Sequence, residues 1–133
     1  SGRLFMTVDF RHPDDGELTK MDAELRAAAA GIAARHRLEV KIEQIWYFPP
    51  SPFAKQLVES VRRGAVQAGY PHMDIVSGAG HDACYVNRVA PTAMIFVPCK
   101  DGISHNEIED ATKTDIGAGA QILLQAMVER ANA

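Results

Sequence analysis

Phe48-Pro49-Pro50-Ser51-Pro52 is the strongest punctuation in this chain of 133 residues. Proline fixes its own φ and donates no backbone hydrogen bond, so neither a helix nor a paired strand runs through this stretch. The sequence therefore reads outward from it as two pieces, residues 1–47 and residues 51–133.

Upstream, Leu4, Met6, Val8 and Phe10 alternate with Phe5, Thr7, Asp9 and Arg11, the period of a half-buried strand. Pro13-Asp14-Asp15-Gly16 ends it, and Asp14 with Glu17 has the form of a capping box. Leu18, Met21, Leu25, Ala28, Ile32 and His36 then follow at helical spacing, an amphipathic helix of about five turns. Leu38, Val40 and Ile42 alternate with Glu39, Lys41 and Glu43, so a second strand is expected as far as Tyr47. This is a strand–helix–strand unit that opens inside a strand, as a fragment or a cleaved tag would.

Downstream, Ser51 is placed to cap a helix with Pro52 in its first turn. Phe53, Leu57, Val61, Ala65 and Ala68 form its stripe and Gly69 ends it. Met73-Asp74-Ile75-Val76 reads as a short strand leading into the small-residue loop Ser77-Gly78-Ala79-Gly80-His81-Asp82, with a short helix over 82–89. Ala93-Met94-Ile95-Phe96-Val97 is a continuous apolar run, as in a strand covered on both faces. After a polar loop from Pro98 to Asp110, a helix over Thr112–Arg130 carries Ile116, Ala120, Leu123, Met127 and Ala131 on one stripe. The expected fold class is α/β (α+β), strands alternating with helices.

Composition excludes several functions. Net charge is −3 with scattered Lys and Arg, so there is no basic footprint for nucleic acid. No apolar run is long enough to cross a membrane, and the N-terminus lacks a signal-peptide pattern. Cys84 and Cys99 are too few for a disulfide scaffold and are not in CxxC spacing, which suits reduced thiols in a cytoplasmic protein.

Three places can carry chemistry. The loop Asp101-Gly102-Ile103-Ser104-His105-Asn106-Glu107 follows an apolar strand, and open α/β sheets bind ligands beyond the carboxyl ends of their strands. His105 there is either a metal ligand or a solvated surface group, and one imidazole does not make a zinc site. In Gly78-Ala79-Gly80-His81-Asp82, the two glycines let backbone approach a ligand, the helix start offers N–H groups to an anion, and His81 can donate to substrate; a plain tight turn is the other reading. Arg11 at a strand end is either a carboxylate clamp or half of a surface ion pair with Asp9 or Asp14. His12, His36 and His72 read as structural or solvent-facing. A thiol nucleophile with His81 or His105 as base is a further reading that the spacing does not favour.

Together, Val8-Asp9-Phe10-Arg11-His12-Pro13, Ser77-Gly78-Ala79-Gly80-His81-Asp82-Ala83 and Phe96-Val97-Pro98-Cys99-Lys100-Asp101-Gly102-Ile103-Ser104-His105 resemble the hydantoinase/carbamoylase branch of the zinc aminoacylase-like amidohydrolases. That branch takes in N-carbamoyl-L-amino-acid hydrolases, allantoate amidohydrolases and β-ureidopropionases. The resemblance implies that residues 1–47 are part of a lid, or dimerisation, domain and residues 51–133 the C-terminal part of a catalytic α/β domain. It implies a hydrolase of linear amides in which two divalent metal ions (Zn, Mn, Ni or Co) activate water. It makes His105 the last metal ligand, Arg11 the group that binds the substrate carboxylate, and Gly80 with His81 the substrate loop.

The resemblance also implies that the general base and the other metal ligands lie upstream of this chain. No catalytic group and no firmly held metal is then expected here, and the chain alone should hydrolyse nothing. The uncovered apolar faces point to a homodimer or higher oligomer built from the strand–helix–strand part, residues 1–47. The expected partner is a small carboxylate, an N-carbamoyl amino acid or a related ureido acid. The non-enzymatic alternative is an α/β module whose role is association.

Overall fold

The structure is a computed structural model and describes residues 2–132. The chain divides into two units: one runs up to Pro52 and takes in Val76–Gly78, and the other holds Phe53–Ile75 and continues from Ala79.

The first unit is built on α1, Asp15–His36. Asp14 caps it, its carboxylate accepting from Gly16 N–H at 2.8 Å and Glu17 N–H at 3.1 Å. The return half of the capping box is not made: the Asp14 N–H donates to His12 Nδ1 at 3.0 Å, and Glu17 pairs with Lys20. At the other end Arg37 takes the left-handed conformation (φ 53°) that usually falls to glycine. The inward face runs through Leu18, Met21, Leu25, Ala29 and Ala33, so the expected stripe is right for two turns and then drifts; Ala28, Ile32 and His36 are exposed. A repeat read at 3.5 residues slips against a helix of 3.6, by about 20° per heptad. The following segment is tied to the helix at two points. Arg26 Nη1 donates to the Ile42 carbonyl at 3.3 Å, and the Tyr47 hydroxyl donates to the Asp15 carboxylate.

In the second unit α2, Lys55–Ala68, packs against α4, Lys113–Ala131. Ser51 and Pro52 do not start α2. Its N-cap is Ala54, whose N–H donates to the Thr92 carbonyl at 3.0 Å, and the helix begins one residue later. Gly69 ends it at φ 70°, as expected. Ser60, Gly64 and Ala65 are the buried residues of α2, and Ile122 is the buried residue of α4. Polar contacts rim this crossing: Ser60 Oγ donates to Glu129 at 2.7 Å, Arg63 pairs with Glu129 at 2.5 Å, and Gln125 donates to Gln67 at 2.6 Å. Between them lie α3, Ala83–Val86, and a 3-10 turn at Lys100–Gly102.

Among the described residues none is in a strand, so the strands expected at 4–10, 38–47, 73–76 and 93–97 are not formed here. A strand exists only as half of a hydrogen-bonded ladder, and these segments do not pair with one another. Their apolar residues stay open: Phe5 is 85% exposed and Trp46 74%. The 93–97 segment is half-buried rather than covered on both faces. It does lie close on α4, where a Cβ added to Gly119 would sit 2.6 Å from Val97 Cγ1.

The apolar stripe expected along α4 is exposed as well, Ile116 at 53% and Met127 at 61%. With Leu57, Val61, Ile95, Val97 and Leu123 it lines an open apolar groove of about 570 Å3. The chain exposes 10969 Å2. Two separate compact domains of half its mass each would expose only about 8,300 Å2 together. Much apolar surface is therefore left without a cover.

Candidate functional site

Arg11 is held by two oxygens within the first unit. Asp9 Oδ2 accepts from Nε at 3.0 Å and Nη2 at 2.6 Å, and the Gly78 carbonyl accepts from Nη1 at 2.6 Å. The surface pair with Asp9 is thus formed, and the same guanidinium reaches the first glycine of the small-residue loop. A guanidinium has five N–H groups, and these bonds use three. The hydrogen bond from Arg11 holds the Asp9 carboxyl below its ordinary range, and the same bond raises the Arg11 pKa.

The rest of that loop, from Ala79, belongs to the second unit. A Cβ at Gly80 would meet nothing within 4 Å, and the glycine is not in the left-handed region, so open space lies against its backbone. His81 starts α3. Its Nδ1 accepts from the Ala83 N–H at 3.0 Å, and its carbonyl accepts from the Cys84 N–H at 2.9 Å. Two consequences follow. In a neutral imidazole whose Nδ1 accepts, the proton sits on Nε2, which makes Nε2 a donor. The N–H groups expected to receive an anion are also not free, because Ala83 and Cys84 spend theirs on His81, and Tyr85 and Val86 donate to the Asp82 carbonyl.

His105 also lies in the second unit, in a loop closed at its base by the Lys100 N–H on the Asp110 carbonyl at 2.7 Å. Its φ is 54° and its N–H donates to Glu109 Oε2 at 2.8 Å. Its side chain is exposed. Among the described residues no group of three His, Cys, Asp or Glu could hold a metal ion. The donor set suits one ligand of a metal site, since an exposed imidazole on a braced loop is a good nitrogen donor, but it does not complete one.

Neither cysteine supports the thiol reading. Cys84 and Cys99 are free, and Cys99 Sγ faces Glu109 Oε1 at 3.8 Å, with no imidazole bonded to it. Glu109 is the residue that sequence reasoning missed. The sequence presents it as part of the polar loop from Pro98 to Asp110, four residues after His105.

The chain is 46% identical over 130 residues to an N-carbamoyl-L-amino-acid amidohydrolase of Rhizobium meliloti, covering 98% of this chain and 31% of that protein. It is 31% identical over 121 residues to an allantoate amidohydrolase of Bacillus subtilis, covering 90% of this chain and 29% of that protein. The crystal structure of an amidase of the hydantoinase/carbamoylase family from Burkholderia vietnamiensis matches it with a TM-score of 0.72 and 60% identity, over 90% of this chain and 29% of that one. The chain thus spans about three-tenths of the length of the relatives it matches. The family model for Peptidase family M20/M25/M40 matches residues 6–129, and the chain belongs to that family.

Proposed function

We propose that this chain is part of an amidohydrolase that cleaves the carbamoyl C–N bond of N-carbamoyl-L-amino acids. The observation that carries the reading is the 46% identity, over 98% of the chain, to an N-carbamoyl-L-amino-acid amidohydrolase. In this reading Arg11 binds the substrate carboxylate through its two remaining N–H groups, and Gly80 leaves room for the substrate backbone. His81 donates from Nε2 to substrate, and His105 is one metal ligand. Two divalent ions (Zn, Mn, Ni or Co) would supply an activated water in the complete protein, and they are held chiefly by residues outside this chain. Residues 1–47 serve as part of a lid and dimerisation domain, and residues 51–133 as part of the catalytic α/β domain. There the extended segments 4–10, 38–47, 73–76 and 93–97 find strand partners. The protein is a cytoplasmic homodimer, a placement supported by two free thiols.

Allantoate or β-ureidopropionate is the second substrate reading, supported by the 31% identity to an allantoate amidohydrolase. The longer protein, stripped of metal and reloaded with Zn, Mn, Ni or Co, should hydrolyse N-carbamoyl-L-amino acids in preference to allantoate and 3-ureidopropionate. No turnover of the carbamoyl substrates in any metal form sinks the proposal. The chain of 133 residues assayed alone should be inert, and robust turnover by it would contradict the division of ligands.

A further inference from the structure

We propose that Glu109 is a positioning residue for His105, a role that rests on the reading of His105 as a metal ligand. His105 sits in the left-handed region at φ 54°, which costs any residue with a Cβ because Cβ crowds the backbone, though histidine enters it more readily than most. Something must hold it there. Glu109 Oε2 accepts its N–H at 2.8 Å, a charge-assisted bond.

The carboxylate is itself braced. The Glu109 N–H donates to the Asn106 carbonyl at 3.0 Å, which turns the backbone so that the side chain reaches back across the loop. Its second oxygen faces Cys99 Sγ at 3.8 Å, on the segment that enters the loop. The adjacent Lys100–Asp110 bond at 2.7 Å closes the base. One acid therefore links the chain entering the loop, the chain leaving it and the histidine at its tip. Metal-binding histidines are commonly oriented through the second ring nitrogen. Here the restraint acts through the backbone, leaving the ring nitrogens for other partners.

The test uses the longer protein, freed of metal and titrated with Co2+ while its visible absorption is recorded. Glu109→Ala should weaken cobalt binding by about 10–100-fold and shift the bands, the usual cost of losing an orienting partner. Glu109→Gln retains an oxygen acceptor and should stay within about threefold of the parent. Glu109→Asp, one methylene short, should fall between them, and it covers the case in which the alanine variant does not fold. Cobalt bands and affinity in His105→Ala equal to the parent would refute the ligand reading itself. If His105→Ala loses them while Glu109→Ala or Glu109→Asp binds as the parent does, the positioning role alone is refuted. It is refuted too if a folded Glu109→Gln is as weak as Glu109→Ala.

Discussion

Arg11 Nη1 donates to the Gly78 carbonyl at 2.6 Å across 67 residues of sequence. The bond fastens a side chain from the first extended segment to the glycine loop. Asp9 grips the same guanidinium along its Nε–Nη2 edge. A planar fork with donors on separate edges can do this; an ammonium cannot.

In the longer protein Arg11→Ala is accordingly expected to lower kcat/KM by about 10–100-fold, mostly through KM, the usual span for a charge-assisted bond to carboxylate. Arg11→Lys should recover only a minor part. Steady-state kinetics with a carboxylate substrate and its neutral amide analogue check this, and an equal effect on both substrates contradicts the assignment.

Gly119→Ala should destabilise the second unit by about 1–3 kcal/mol, because the new methyl meets the stiff Val97 side chain at 2.6 Å. Gly64→Ala is the control. Its Cβ would stand 3.4 Å from Gln125 and 3.5 Å from Ile122, ordinary contact, and helix propensity gains. Denaturant titration of the two variants should separate them, and Gly119→Ala with Val97→Ala should recover part of the loss.

Arg37→Gly should stabilise the end of α1 by about 1 kcal/mol, since it removes a side chain from a left-handed position at φ 53°. A rise in the urea midpoint without a change in slope is the expected result.

The Ser60 hydroxyl, and after it Arg63, hold the Glu129 carboxyl below the ordinary glutamate range. A carboxyl depressed in the folded state adds stability above its unfolded pKa, about 4.3, and that contribution is lost as pH falls through the lower folded value. Ser60→Ala should therefore raise the Glu129 midpoint in a carboxyl NMR titration and move acid unfolding to higher pH. An unmoved midpoint would leave Arg63 as the cause.

Much of this chain was legible in its residues because the physics involved is local. The Asp14 cap, the long α1, the stop at Gly69 and the final helix depend on bonds within one or two turns, and each forms as expected. The motifs around Arg11, Gly80–His81 and His105 carry the resemblance to the amidohydrolase family. Burial was different. Ile116, Leu123 and Met127 have the spacing of a core stripe, yet Ile122 is the buried residue of α4, and the stripe faces an open groove. Spacing says that a face is apolar; only a neighbouring element decides whether it is covered. The apolar alternation of 4–10 and 38–47 likewise marks strand-forming sequence, but a ladder needs a second strand at hydrogen-bond distance, and among the described residues no segment supplies one. The Nδ1 bond of His81 and the reach of Glu109 to His105 depend on how each loop folds back on itself, so they could be read only from the folded chain.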